Sequence, residues 1–426
     1  KNYNLYNFLN LNNFKKIIRK NNLKSFNYLL ISNSTNVIKV SDFIAKFLEN
    51  KNYKEIFATP GSQNLHLLDS LGRSENINII NSYNSSTIAK AAEGYSLYNK
   101  KPAVVIISSG SSSAEIFTSI LNCWIESIPV IFIIGQAIIK NSKVRQLGVK
   151  EFKISQNVKN ISKFFKIIKN EKYIKSDLEE AFHCASNQRP GPSILEIPID
   201  IQSKNINHIN LTNFKPKKEK LSNEVKLINE SIKKLINLIR GSKKPVIILG
   251  NGIKISSSEC FIKSLVEKFN IPFLLSNKVP DLLNYNNPNN FGVPGPFGSR
   301  SANFIVQNCD LLISFGCRLS QSVTGRASKL FAREAKIFVV DSDINELNKK
   351  NIKIDYKEKF DLNLYLSNIL NKKNKINLKI DNWTKYCRKI KKKFKGENYY
   401  NPNGLKINND KNDIYPLTLI KDFSKL

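Results

Sequence analysis

The chain has 426 residues, of which 41% are hydrophobic, and its 67 Lys and Arg against 34 Asp and Glu give a formal net charge of +33. This apolar content excludes wholly disordered, collagen-like and small disulfide-scaffold proteins, and the length predicts two or three domains. The longest apolar run, residues 129–134, is far shorter than the roughly 20 residues that span a membrane. We therefore expect a globular protein with no membrane partner.

The positive charge is spread over the whole sequence. Lys and Asn recur in predicted loops and helices alike, which favours a solvated lysine-rich surface over a nucleic-acid-binding face. We therefore expect no nucleic-acid partner. The six cysteines form no CxxC pair and are predicted to be small buried residues in a reducing compartment, with no zinc site: Cys123, Cys184, Cys260, Cys309, Cys317 and Cys387.

Residues 1–37 form a basic extension rich in Asn and Lys, and no acidic residue occurs before Asp42. An acid-poor basic leader is typical of organelle transit segments. A disordered extension in a lysine-rich protein has the same composition, so both interpretations stay open. The expected location is the cytoplasm or an organelle stroma or matrix.

A regular pattern follows the extension. Helical spacing begins near Asp42, and strands then alternate with helical segments. The predicted strands of this region are residues 55–59, 77–80, 103–107, 130–134 and 193–198. Such alternation indicates βαβ units and a parallel, doubly wound sheet. We predict a first α/β domain over residues 38–203.

A second alternation follows a polar segment, residues 204–222, that is typical of a linker. Its predicted strands are residues 245–249, 271–275, 310–315 and 337–341. We predict a second doubly wound α/β domain over residues 223–372. Residues 373–426 are interpreted as a further linker and the start of another domain that the sequence does not contain.

Three glycine turns follow predicted strands in the first domain, at Gly61, at Gly110 and at Gly135-Gln136. Ligands in parallel α/β sheets bind beyond the carboxyl ends of the strands, where glycines allow close approach. Because βα connections use glycine routinely, each turn alone is a weak signal. Together the three turns predict a ligand cleft.

The second domain carries signals of nucleotide binding. Gly250 and Gly252 follow a strand like half of a dinucleotide fingerprint that lacks its third glycine. Downstream strands end at Gly316 with Arg318 and at the acidic pair Asp341 and Asp343, residue types that suit phosphates and ribose hydroxyls. Acidic helix N-caps and ordinary turns explain the same residues, so that alternative stays open. No GxSxG motif or P-loop indicates hydrolytic chemistry.

From about residue 40 onward the sequence resembles thiamine diphosphate-dependent enzymes of the acetolactate synthase type. Several motifs carry the resemblance, in the family's order and spacing. They are Phe57-Ala58-Thr59-Pro60-Gly61, Ala91-Ala92-Glu93-Gly94-Tyr95, Val105-Ile106-Ile107-Ser108-Ser109-Gly110, Gly135-Gln136, and Arg189-Pro190-Gly191-Pro192 before Glu196-Ile197-Pro198. Arg145-Gln146-Leu147-Gly148 is closer to a branch associated with surface-polysaccharide sugars.

The resemblance implies a pyrimidine-binding domain, a central domain and a diphosphate-binding domain. It implies thiamine diphosphate with Mg²⁺ as cofactor, a 2-oxoacid as substrate and an oligomer with its active site between subunits. Gly61, Gly110 and Gln136 would face the pyrimidine side of the cofactor. In flavin-containing members the central domain holds flavin adenine dinucleotide, and the positions implied here are Gly250, Gly252, Gly316, Arg318, Asp341 and Asp343.

The sequence departs from the family pattern at Ser85, which stands eight positions before Glu93, where the family has its activating glutamate. The implied role of that glutamate is proton exchange with the pyrimidine ring. A serine hydroxyl can form a hydrogen bond but cannot hold and return a proton near neutral pH. Gly110-Ser111-Ser112 also replaces the family's glycine-proline-glycine turn.

The family's diphosphate and Mg²⁺ motif, Gly-Asp-Gly, is absent from the sequence, so we expect no metal ligands in it and weak or no thiamine diphosphate binding. Two hypotheses follow. In the first, these are the first two domains of a carboligase that decarboxylates a 2-oxoacid, with the diphosphate-binding domain on another chain or lost from this sequence; the expected assembly is a homo-oligomer or a hetero-oligomer with a chain that supplies that domain. In the second, the chain is an inactive paralogue or fragment that acts by binding a full-length relative.

Overall fold

The computed structural model of the protein describes residues 36–138, 146, 148–216, 221–284, 286–371, 378–394 and 423. The chain divides into two compact units, Lys1–Glu219 and Lys220–Leu426. Some expectations fall outside the described residues: the extension up to residue 35, part of the linker at 217–220, Arg145 and Leu147, and nearly all of the chain after residue 394.

The first unit is built on a parallel sheet. Its strands are β1 Val37–Lys39, β2 Glu55–Ala58, β3 Asn78–Asn81, β4 Ala103–Ser108, β5 Val130–Gln136, β6 Phe164–Ile167, β7 Ser193–Pro198 and β8 Asn205–Asn207. Six of them form the parallel sheet in the order β3-β2-β4-β5-β7-β6. Strands β1 and β8 form a separate antiparallel pair, so the first residues of the predicted linker belong to this unit.

Helices cover both faces of this sheet. They are α1 Val40–Asn50, α2 Leu65–Arg73, α3 Ser85–Asn99, α4 Ser111–Glu115, α5 Phe117–Glu126, α6 Ser155–Val158, α7 Ile174–Ser186 and α8 Ile199–Ser203. Short 3₁₀ turns lie at Ser62–Asn64, Lys159–Ile161, Glu171–Tyr173 and His208–Asn210.

Two apolar cores form, one on each face of the sheet, because successive strand residues point to opposite faces. Leu195 and Ile197 of β7 lie in one core with α1 and α7 residues, whereas Ile194 lies in the other with residues of α3 and α5. All six residues of β7 are buried, as expected for a parallel strand covered on both faces. The predicted doubly wound α/β architecture is therefore confirmed.

The second unit has five strands, β9 Pro245–Leu249, β10 Phe273–Leu275, β11 Leu311–Phe315, β12 Lys336–Asp341 and β13 Tyr356–Lys359. They form a parallel sheet in the order β10-β9-β11-β12-β13. Its helices are α9 Leu221–Gly241, α10 Gly252–Ile255, α11 Glu259–Phe269, α12 Arg300–Gln307, α13 Gln321–Thr324, α14 Ile344–Leu347, α15 Leu362–Asn371 and α16 Asp381–Lys393, with a 3₁₀ turn at Ser328–Leu330. This unit is also a parallel, doubly wound sheet.

Helix α16 lies within residues 373–426, which the sequence assigns to a linker and a further domain. Trp383 and Cys387 of this helix belong to the apolar core of the second unit. The Trp383 indole N–H donates to the carbonyl oxygen of Pro245 on β9 at 3.1 Å. The second unit therefore extends at least to Lys393.

Strands β6 and β13 are absent from the sequence-based prediction. Each lies at the edge of its sheet, and neither has a fully buried residue. Because an edge strand with one open face needs no apolar run, the sequence of β13, Tyr-Lys-Glu-Lys, gives no strand signal.

Four of the six predicted buried cysteines are buried, Cys123, Cys309, Cys317 and Cys387, whereas Cys184 is half-buried and Cys260 is exposed. Within the part of the chain that the structure describes, no helix is long and apolar enough to cross a membrane.

The placement of α16 can be tested with the two tryptophans. Trp383 is 5% exposed and Trp124 is 39% exposed. We expect Trp383→Ala to lower the free energy of unfolding by about 3–5 kcal/mol, because it leaves a cavity and removes the hydrogen bond to Pro245. Trp124→Ala serves as the matched control and costs about 1 kcal/mol. Denaturant titration followed by circular dichroism measures both, and equal losses contradict the packing described here.

Candidate functional site

Four loops of the first unit meet at one edge of its sheet. Strands β3, β2, β4 and β5 are neighbours in that order and run in parallel, so their carboxyl ends lie side by side. Ser85 follows β3, Gly61 follows β2, Gly110 follows β4, and Gln136 ends β5. The structure therefore brings the four predicted pyrimidine-side residues to the same edge.

The Gly61 turn packs directly against the end of β4. A Cβ atom on Gly61 would overlap the side chain of Ser108. The Gly61 N–H donates to the Asn64 side chain at 3.0 Å, and the Gln63 N–H donates to the Ser108 hydroxyl at 3.2 Å. A residue with a side chain at position 61 would separate the ends of β2 and β4.

The backbone conformation at position 110 requires glycine. Its φ is +85°, and a Cβ there would lie 2.7 Å from the Cβ of Lys150. The Ser109 hydroxyl donates to the Lys150 carbonyl oxygen at 3.1 Å. The segment around Lys150 thus packs over the turn that follows β4.

Gln136 is 2% exposed and uses both ends of its amide within the protein. Its Nε2 donates to the Phe152 carbonyl oxygen at 2.8 Å, and its Oε1 accepts from the Ala137 N–H at 2.9 Å. In this structure Gln136 orders the chain that follows β5. Its amide is not presented to a ligand.

Ser85 begins the 15-residue helix α3. It is 1% exposed, and its hydroxyl has no hydrogen-bond partner among the described residues. Its backbone N–H donates to Oε2 of Glu115 at 3.1 Å, while Asn84 caps the helix by accepting from the Thr87 N–H at 2.8 Å. A carboxylate therefore lies at the position of the sequence departure. No local signal in the sequence predicts that Glu115, 30 residues away, approaches Ser85.

Glu196 is a second carboxyl group that sequence reasoning treated only as part of a motif. It is fully buried on β7, on the same face as Gln136. Burial raises the pKa of Glu196 to about 7, although Gln136 and the Ile154 backbone partly lower it. Neither carboxyl oxygen lies at hydrogen-bonding geometry to any described residue. Burial disfavours the charged form of the carboxyl group, and this effect outweighs the lowering by Gln136 and the Ile154 backbone.

The glycines of the second unit pack against each other. The N–H of Gly250 donates to Phe315 at 2.9 Å, that of Gly252 to Gly316 at 2.9 Å, and that of Gly316 to Val340 at 3.1 Å, all to carbonyl oxygens. A Cβ on Gly252 would lie 2.7 Å from the Gly316 Cα, and one on Gly316 would lie 2.6 Å from Leu362 Cδ1. Because these three amides are already bonded, they are not available to a pyrophosphate.

The charged residues of the second unit also make internal contacts. Arg318 Nε lies 3.2 Å from Oε1 of Glu346. Asp341 Oδ1 accepts from the Asp343 N–H at 2.9 Å, and Asp343 caps α14 by accepting from the Asn345 N–H at 2.9 Å. Helix α14 has only four residues. Asp343 thus acts as a helix N-cap in this structure.

Within the described ranges, no three His, Cys, Asp or Glu side chains are grouped closely enough to hold a metal ion.

Comparison with known proteins identifies the family. Residues 38–158 match the thiamine pyrophosphate enzyme N-terminal TPP binding domain, and residues 232–368 match the thiamine pyrophosphate enzyme central domain. The chain belongs to the thiamine pyrophosphate enzyme family. The first match contains Gly61, Ser85, Gly110 and Gln136, and the order of the two matches is the order of the two units.

The chain is similar to proteins named acetolactate synthase. The chain is 30% identical to a "Probable acetolactate synthase large subunit" of Methanocaldococcus jannaschii over 75% of this chain and 53% of that protein. It is 28% identical to the "Acetolactate synthase large subunit" of Lactococcus lactis, over 83% of this chain and 60% of that protein. It is 29% identical to "Acetolactate synthase 2, chloroplastic" of Nicotiana tabacum, over 73% of this chain and 46% of that protein. The chain thus spans about half the length of these curated relatives.

The raised pKa of Glu196 predicts that the free energy of unfolding depends on pH. The folded-state pKa of Glu196, about 7, lies above its ordinary value of 4.5, so the folded protein binds more protons than the unfolded chain between these values. The stability contributed by the neutral carboxyl is therefore lost as the pH rises through about 7. Between pH 4.5 and about pH 8, we expect the free energy of unfolding of Glu196→Gln to rise relative to wild type by about 3 kcal/mol at most.

Urea denaturation across this pH range measures the difference. Glu267→Gln, which changes an exposed carboxyl group of the second unit, is the control and should show no such trend. A constant difference between Glu196→Gln and wild type would mean that Glu196 is ionised at its ordinary pKa.

The packing of Gly250, Gly252 and Gly316 makes a prediction about flavin. Because their amides are bonded within the protein, we expect the 426-residue chain, incubated with excess flavin adenine dinucleotide and gel-filtered, to retain no flavin absorbance. Stoichiometric flavin in the protein fraction would mean that the bonded amides of Gly250, Gly252 and Gly316 do not prevent flavin binding.

Proposed function

We propose that this chain supplies the pyrimidine-binding and central domains of a thiamine diphosphate-dependent carboligase of the acetolactate synthase type. The enzyme would decarboxylate a 2-oxoacid such as pyruvate and transfer the two-carbon unit to an acceptor. The order of the two matched domains and the names of the relatives support this proposal.

One observation carries the proposal furthest, the buried Ser85 hydroxyl that has no partner among the described residues. A buried polar group without a hydrogen bond costs about 1–3 kcal/mol. It lies at the N-terminus of α3, at the sheet edge shared with Gly61 and Gly110. A polar ring edge bound there would satisfy the hydroxyl, so these residues fit the pyrimidine side of the cofactor.

Each residue then has a separate task. The bound cofactor supplies the carbanion chemistry, and the protein supplies orientation and electrostatics. Ser85 would form a hydrogen bond with the pyrimidine edge. Gly61 and Gly110 allow their turns to pack closely against Ser108 and Lys150, and Gln136 holds the segment after β5 in place through Phe152.

The diphosphate and Mg²⁺ need other ligands, because the sequence has no Gly-Asp-Gly motif. We propose that a diphosphate-binding domain outside these 426 residues provides them. Several relatives are named large subunits, which supports an enzyme of more than one subunit.

Ser85 favours a second candidate function, an inactive paralogue that binds a full-length relative, because serine cannot exchange a proton near neutral pH. The two candidates differ in cofactor binding. An inactive partner has no need for a pyrimidine site, whereas the carboligase depends on one.

Ligand-observed NMR tests the carboligase proposal. With millimolar thiamine diphosphate and the full chain, we expect saturation transfer to be strongest at the pyrimidine protons and weakest at the protons next to the diphosphate. The reason is that the pyrimidine-side residues lie in this sequence and the diphosphate motif does not. Absence of transfer, or transfer mainly to the diphosphate side, would contradict the proposal.

Two buried serines provide a matched pair for this experiment. Ser119 on α5 is fully buried, and its hydroxyl, like that of Ser85, has no partner among the described residues. Ser85→Ala should weaken pyrimidine binding several-fold, by about the value of one neutral hydrogen bond. Ser119→Ala should leave binding unchanged, and equal effects of the two variants would remove Ser85 from the site.

A further inference from the structure

A carboxylate reaches the position where the family's glutamate is missing. The Ser85 N–H donates to Glu115 Oε2 at 3.1 Å. Ser85 follows β3 and Glu115 ends the short helix after β4. Strand β2 lies between β3 and β4 in the sheet, so this contact spans the end of β2, where the Gly61 turn begins.

The Oε2 atom of Glu115 lies at the first turn of the 15-residue helix α3, which Ser85 begins. The carboxylate is also accessible, because Glu115 is exposed. A ligand at the carboxyl edge can therefore reach it.

The Ser85 hydroxyl is the independent observation that points to a ligand. It is 1% exposed and unpartnered among the described residues, although a carboxylate acceptor is bonded to the backbone N–H of the same residue. A ring that offers one polar atom to the hydroxyl and one to the carboxylate accounts for both groups.

We propose that Glu115 is the proton-exchanging carboxylate of this site, taking the role that the missing glutamate leaves open at position 85. This inference rests on the proposed function, since it assumes that the ring at this edge is the pyrimidine of thiamine diphosphate. Glu115 Oε2 holds a proton for a ring nitrogen and takes it back, with no net transfer, while the Ser85 hydroxyl fixes the orientation of the ring. A carboxylate can accept a proton from a ring nitrogen and return it, whereas a serine hydroxyl does not act as such a base.

The test uses the full chain, thiamine diphosphate labelled with ¹⁵N in the pyrimidine ring, and the variant Glu115→Gln. Glutamine keeps an acceptor for the Ser85 N–H, so the fold is preserved while the exchangeable proton is lost. We expect the ring nitrogen of ligand bound to wild type to show a pH-dependent shift at a different pH from free ligand, and Glu115→Gln to remove this difference. The dissociation constant should rise about tenfold, as expected for loss of one charged hydrogen bond.

Controls separate this inference from the proposed function. Glu267→Gln removes one exposed charge in the second unit and should change neither the shift nor the affinity. The double variant Ser85→Glu/Glu115→Gln should recover the pH-dependent shift, because the carboxylate that is lost at position 115 is replaced by one at position 85, which position 115 contacts.

The outcomes are distinguishable. Binding to wild type and Glu115→Gln with the same pH-dependent shift would overturn the role of Glu115 and leave the proposed function intact. Absence of binding to wild type would overturn the proposed function and this inference together. Failure of the double variant to recover the shift would show that the two positions do not share one task.

Discussion

The parallel pairing of β3, β2, β4 and β5 is the constraint on which the site of the first unit depends. Parallel strands bring their carboxyl ends to one edge, and this sheet pairs the four in direct succession. Loops far apart in sequence therefore meet, and Ser85 contacts Glu115 across the end of β2. Glycine at position 61 keeps the neighbouring strand ends in contact. A different pairing of these strands would move apart the residues that we propose to bind the pyrimidine.

The glycine turns of the two units look alike in the sequence, but their surroundings differ in the structure. In the first unit they border a buried hydroxyl that has no partner among the described residues. In the second unit the amides of Gly250 and Gly252 are bonded to backbone oxygens, and Leu362 packs against Gly316. A glycine after a strand thus indicates that another group lies close to its backbone. The neighbouring polar groups show whether that group is a ligand or another loop of the protein.

Sequence reasoning predicts the parts of this protein that depend on local pattern. Strands β4 and β5 contain continuous apolar runs, and the run in β7 is interrupted by Glu196, so their positions and the doubly wound fold follow from the sequence. The edge strand β13 carries no such run. Glu115 and Glu196 could not be singled out, because sequence spacing encodes neither the contact of Glu115 with Ser85 nor the burial of Glu196.

The central claim is that the carboxyl edge of the first sheet binds the pyrimidine of thiamine diphosphate. Hydrogen–deuterium exchange of the full chain with and without this ligand tests it most directly. The account predicts slower exchange confined to the loops after β2, β3 and β4, which carry Gly61, Ser85 and Gly110, with no change at Gly250 or Gly316. Protection only in the second unit, or none at saturating ligand, would contradict it.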